Sequence, residues 1–104
     1  MSASTKLCSY VGFSIKSGHL VWGADAVLRA RGLKLVIADS SINRSSKGDL
    51  ERMAQATHVP LVWTDAETLE ACTHRHNCKC IGLTEPNLAQ AALAELTRIG
   101  EEKE

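Results

Sequence analysis

The sequence predicts an α/β/α layered domain, on three observations. Helix-like and strand-like segments alternate along the whole chain, the pattern of helices covering both faces of a sheet. Leu33 to Ala38 is apolar almost without interruption, as expected of a strand buried on both faces. Gly18, Gly23 and Gly32 fall at junctions between segments, where the chain must turn.

The elements follow in order. A first helix begins near Ser4 or Thr5, carries Leu7, Val11 and Ile15 at four-residue spacing, and closes at Gly18. Leu20, Val21 and Trp22 form a short strand. Gly23 opens a second helix with Ala24, Val27 and Leu28 on one face, and Gly32 ends it, since glycine accepts the left-handed conformation. After the strand Leu33–Ala38, residues 40–48 read as a polar loop holding Arg44 and Lys47. Ser46 and Asp49 have the spacing of a weak capping box, and Leu50, Met53, Ala54 and Thr57 continue as a helix face. That helix stops before Val59-Pro60, because the residue before proline avoids the α region.

Residues 60–64 form another short strand. Thr64 and Glu67 make a capping box for a fourth helix, on which Leu69 and Cys72 share a face. A polar loop over 73–77 leads to a strand over 78–83. Thr84-Glu85-Pro86 opens the last helix, with proline in its first turn and Leu88, Ala92, Leu96 and Ile99 along one side. Gly100 ends it, and the acidic tail 101–104 frays.

A length of 104 residues suits a single domain over 1–104. Tyr10, Phe13, Trp22 and Trp63 are the only aromatic side chains, so the core must be mainly aliphatic. The formal net charge of zero argues against a strongly basic nucleic-acid binder. Yet residues 1–64 hold eight basic against four acidic side chains, and 65–104 the reverse, so a basic face can sit inside a neutral total. No apolar run is long enough to span a membrane, and the first residues lack the pattern of a signal peptide. A cytoplasmic protein is expected, with Cys8, Cys72, Cys78 and Cys80 as thiols or ligands rather than disulfides.

No phosphate loop, nucleophile elbow or zinc-protease motif is present, so no catalysis and no cofactor are expected. Cys72, His74, His76, Cys78 and Cys80 crowd five ligand-type side chains into nine residues. Their spacing matches no common zinc module, and Cys78 and Cys80 read as strand positions on one face. No stoichiometric metal is expected and nothing singles out one thiol as acidified, so a metal- or thiol-dependent sensor is only the third reading of the chain. The Gly23 turn is the more informative place. It presents free N–H groups of a helix N-terminus beside a sheet, which attract anions and hydrogen-bond acceptors. Trp22 is expected to be at least partly buried. Arg29, Lys34, Arg44 and Lys47 are either solvated charges or phosphate contacts.

The segment from Lys16 to Ser41, with its Gly18-His19-Leu20-Val21-Trp22-Gly23 core, and the closing segment from Ile81 to Leu96 together resemble a known superfamily. It is the kink-turn-binding ribosomal protein superfamily, with archaeal ribosomal protein L-seven-Ae, eukaryotic L-thirty and the Gadd-type proteins. The resemblance runs from about Leu7 to Ile99 and rests on the order of several weak motifs. It implies a three-layer fold with a four-stranded mixed sheet and a role in binding structured, kink-turn-like RNA, in association with the ribosome. Some stress-response relatives bind proteins instead.

RNA-binding relatives carry Gly-x-Asn-Glu at the turn into the second helix, then a basic residue. Gly23, Ala24, Asp25, Ala26 and Arg29 stand at those positions. Asp25 lacks the amide donor and Ala26 the carboxylate acceptor, and each lost base contact is worth about 1–3 kcal/mol. His19 stands where relatives often have lysine. The resemblance also implies a contact from Leu83, Thr84, Glu85, Pro86 and Asn87, expected at the same end of the sheet as Gly23. Recognition should then be led by shape and sensitive to salt.

Overall fold

The structure, a computed structural model, describes residues 5–76 and 78–102. Ser4, one of the two expected starts of the first helix, Asn77 of the expected loop, and residues 103–104 of the tail expected to fray lie outside the described residues. Within them, helices and strands alternate as α1 (Thr5–Lys16), β1 (Leu20–Trp22), α2 (Ala24–Arg29), β2 (Leu35–Asp39), α3 (Arg44–Thr57), β3 (Leu61–Thr64), α4 (Ala66–Thr73), β4 (Cys80–Leu83) and α5 (Pro86–Glu102). The strands form one mixed sheet in the order β1-β4-β2-β3. β4 runs antiparallel to both β1 and β2, and β3 runs parallel to β2.

Strand alternation sorts the side chains onto two faces. Leu35, Ile37, Ile81 and Leu83 pack with Leu7, Val11, Leu69, Cys72, Ala89 and Ala92, under α1, α4 and α5. Val36, Ala38 and Cys80 pack with Val27, Leu33, Ile42 and Leu50, under α2 and α3. This is the predicted three-layer α/β/α sandwich. β2 has a neighbour on each side and every residue of it is buried, Val36 and Ile37 included. Gly82 faces the α2 side, where a Cβ would stand 2.6 Å from Leu33 Cδ2 and 3.3 Å from Val27 Cγ2. Glycine there lets α2 and the following turn lie against β4. No described helix is long and apolar enough to cross a membrane.

Turn chemistry accounts for most of the boundaries. Gly18, at φ +75°, closes α1 by donating to the Ile15 carbonyl at 3.1 Å, while His19 N–H reaches Ser14 O at 2.9 Å. These are the paired bonds of a Schellman motif. His58, also left-handed, ends α3 just ahead of Val59-Pro60.

Several expected details are corrected. The second helix ends at Arg29 rather than at Gly32, because Ala30 is extended and its N–H closes a tight turn on Val27 O. Gly32, at φ +75°, serves the turn into Leu33 instead. α3 is capped by Asn43, whose side chain accepts Ser46 N–H at 2.8 Å, so Ser46 is already in the first turn. Arg44 and Lys47 therefore belong to that helix and not to a loop. α4 is capped by Asp65, accepting Thr68 N–H at 2.8 Å, because the Thr64 backbone is committed to the β2–β3 ladder. α5 continues past Gly100 to Glu102. Its inner side is Ala89, Ala92, Leu93, Leu96 and Ile99, one position round from the expected Leu88.

Candidate functional site

Strand directions place the site. β1, β2 and β3 run the same way, so their C-terminal ends share one end of the sheet with the start of β4. α2, α3 and α4 all begin there. Such strand-end crevices are where open α/β sheets bind ligands.

Gly23 stands at this end, its N–H bonded to Cys80 O and its carbonyl accepting Val27 N–H, each at 2.9 Å. Its φ of 87° and ψ of 153° belong to a region that is essentially glycine's own. A Cβ would meet nothing within 4 Å, so a side chain here is resisted by the backbone, at about 1–3 kcal/mol, and not by crowding. Asn43 and Asp65 cap α3 and α4, whereas α2 has no side-chain cap. Asp25, exposed in the first turn of α2, offsets the positive end of that helix. Ala24 and Ala26 flank it, half-buried. Arg29 is exposed at the last turn, about 8 Å along the axis from Ala24.

The segment between α4 and β4 folds over the same turn. His74 ends α4 in the left-handed conformation, its N–H on Glu70 O at 2.7 Å. The chain then carries the Arg75 guanidinium over the Trp22 ring, 4.0 Å from its centroid. Trp22 is half-buried, as expected, and packs against the α1/α4/α5 core. His76 is exposed, with Nδ1 3.7 Å from a Glu70 carboxylate oxygen. Lys79 Nζ lies 3.3 Å from both Asp39 Oδ2 and Ser41 Oγ. Trp22, Gly23, Arg75, His76, Cys78 and Lys79 line a shallow cavity of about 220 Å³. Arg75 and Lys79 were hidden from sequence reasoning inside the cysteine and histidine cluster. The antiparallel partnership of β4 with β1 is what brings them to Gly23.

Asp39 anchors this end. Its burial acts to raise the carboxyl pKa. Hydrogen bonds from the Ser41 backbone and side chain, with the Lys79 ammonium, outweigh that and hold it below the ordinary aspartate value. A lowered native pKa stabilises the fold at pH above about 3.9, and that stability is lost as pH falls through the native value. Thermal melts should therefore show an acid decline that is shallower in Asp39→Asn, so that the gap between variant and wild type narrows at low pH. Parallel declines would show that this carboxylate does not govern the acid limb.

The other predicted residues lie elsewhere. Thr84 N–H and Oγ1 both donate to His19 O, each at 3.0 Å, at the opposite end of β1. His19 Nδ1 meets Ser17 Oγ at 2.9 Å. The three residues of β1 separate His19 from Gly23, four steps of extended chain or roughly 13 Å. The Glu85 carboxylate accepts Asn87 N–H at 3.2 Å and Leu88 N–H at 2.7 Å, capping α5 beside Pro86. Leu83 is wholly buried as the last residue of β4. The expectation that residues 83–87 share an end with Gly23 is thus corrected. The physical reason is that β4 enters beside Gly23 and leaves beside His19.

The cysteine and histidine cluster is dispersed. Cys72 packs in the α1/α4/α5 core and Cys80 in the α2/α3 core, while His74 and His76 are exposed. Cys78 precedes β4 and packs on the face opposite to Cys80, which corrects their expected common face. Burial raises the thiol pKa of Cys72, Cys78 and Cys80, the last to about 12. Among the described residues no three His, Cys, Asp or Glu side chains gather to hold a metal ion.

No protein-family model matches the chain, and no curated protein does. Among solved structures the chain is similar to a protein of unknown function from Bacillus halodurans C. That likeness has a TM-score of 0.82 and 19% identity, over 90% of this chain and 99% of the other. At this identity the likeness establishes the fold alone.

Proposed function

We propose that this chain is a non-catalytic, cytoplasmic, ribosome-associated protein that binds structured, kink-turn-like RNA with weakened base specificity. The site is the sheet end built from Trp22, Gly23, Arg75 and Lys79. The observation that carries this reading is the Arg75 guanidinium stacked on Trp22 beside the Gly23 turn. A stacked guanidinium offers its outer face to an unpaired base and its edge to phosphate. The resemblance in the Gly23 segment supports the same place. Asp25 and Ala26 supply neither the amide donor nor the carboxylate acceptor that would read bases, so contact falls mainly to phosphate and shape.

The test is a titration against a kink-turn RNA and an unkinked duplex of equal length, at two salt concentrations. Binding should be modestly tighter to the kinked RNA. With two or three phosphates engaged, log K should fall against log salt with a slope of about −2. No binding to either RNA at low salt would overturn the proposal. A protein-interaction module on the same fold would then be preferred, a reading favoured by the zero net charge and by the exposed Phe13 on α1.

A further inference from the structure

Cys8 in the second turn of α1 and Cys72 in the last turn of α4 are 64 residues apart in sequence. Their Sγ atoms are 2.8 Å apart where the two helices pack together. Both are free thiols. A disulfide requires an approach of only about 0.8 Å more. Cys72 is buried in the core and Cys8 is partly exposed, so one thiol of the pair is reachable from solvent. The other two cysteines are not similarly placed, since Cys78 and Cys80 pack on opposite faces of the sheet.

We propose that Cys8 and Cys72 are a modification site that forms a reversible intramolecular disulfide by exchange with a low-molecular-weight disulfide such as oxidised glutathione. In the first step the Cys8 thiolate attacks one sulfur of the oxidant. A bond from Cys8 Sγ to that sulfur forms, the oxidant's S–S bond breaks, and one small thiolate leaves. In the second, Cys72, buried from solvent, attacks Cys8 Sγ, and its proton passes to the second small thiolate as that group is expelled. Two protein thiols lose two electrons and two protons, and the oxidant is reduced to two thiols. The bond ties α1 to α4, the helix that leads into the Arg75 segment.

The experiment uses the full chain, reduced and then incubated under native conditions with oxidised glutathione. Remaining thiols are alkylated, and the tryptic digest is read by mass spectrometry without reduction. The expected product is the Cys8 peptide joined to the Cys72 peptide, lighter than their sum by two hydrogen atoms and separated again by dithiothreitol. Closing so long a loop should also raise the melting temperature by on the order of 10 °C. Cys78→Ser should keep the link and Cys8→Ser should abolish it. The decisive reading is on the wild-type chain, so a variant that fails to fold does not hide the result. Three outcomes would overturn the proposal: separate alkylation or glutathionylation of Cys8 and Cys72, a link from either to Cys78, or the same mixture of links in denaturant as in the folded chain.

Discussion

Ile37→Ala is expected to cost about 3–4 kcal/mol of stability, within the range for truncating a fully buried Ile to Ala. Ile37 is 1% exposed. It sits in the middle of β2, directly opposite Ile81 on β4 and Val62 on β3. Its side chain belongs to the cluster beneath α1, α4 and α5. A strand with neighbours on both sides cannot shift to fill the space, so the cavity persists. For a domain with about 5–15 kcal/mol in total, such a loss lowers the melting temperature by on the order of 15–20 °C. Urea denaturation followed by circular dichroism measures it. Val62→Ala, on the half-buried outer strand, should cost less than about 1.5 kcal/mol. Equal losses at the two positions would contradict the placement of β2 at the centre.

Arg75→Ala is expected to weaken RNA binding about tenfold, since a stacked, charged guanidinium is worth about 1–3 kcal/mol. Arg75→Lys should recover part of the salt-dependent affinity but not the stacking, because lysine is a point charge without a plane. Arg29→Ala should weaken binding to all RNAs alike and by less, as Arg29 is at the far end of α2. Asp25→Asn with Ala26→Glu restores the missing donor and acceptor and should raise the preference for a kinked RNA by on the order of tenfold. Titrations of each variant against kinked and unkinked RNA decide this. An Arg75→Ala chain that binds as wild type, together with a double variant of unchanged preference, would remove RNA from this end of the sheet. Lys79→Ala is a poorer probe, because it also strips the buried Asp39 of its ammonium partner.

The elements were legible because their causes are local. The spacing of Leu7 and Val11, the Gly18 closure, the proline stop after α3 and the apolar β2 act over a few residues. The two misplaced caps illustrate the limit of such signals. Thr64 and Asp65, adjacent in sequence, both satisfy a capping rule, as do Asn43 and Ser46, three residues apart. Which residue caps depends on where the preceding strand or turn releases the backbone. Thr64 is held by its pairing with β2, which leaves Asp65 as the first residue free to cap.

By itself the sequence determined the alternation of elements, the three-layer class, the burial of Val36 and Ile37, and the need for glycine at the turn after Trp22. Tertiary structure alone decided which of these features meet. The strand order β1-β4-β2-β3 puts a segment from late in the chain between two early strands, in the opposite direction. That reversal carries residues 84–87 to the His19 end, brings Arg75 and Lys79 to Gly23, and disperses the cysteine and histidine cluster over two faces and the solvent. Cys8 and Cys72 meet for a related reason: α1 and α4 cover the same face of the sheet. Periodicity and turn chemistry reach only a few residues along the chain, whereas strand pairing is chosen by the burial of the whole sheet.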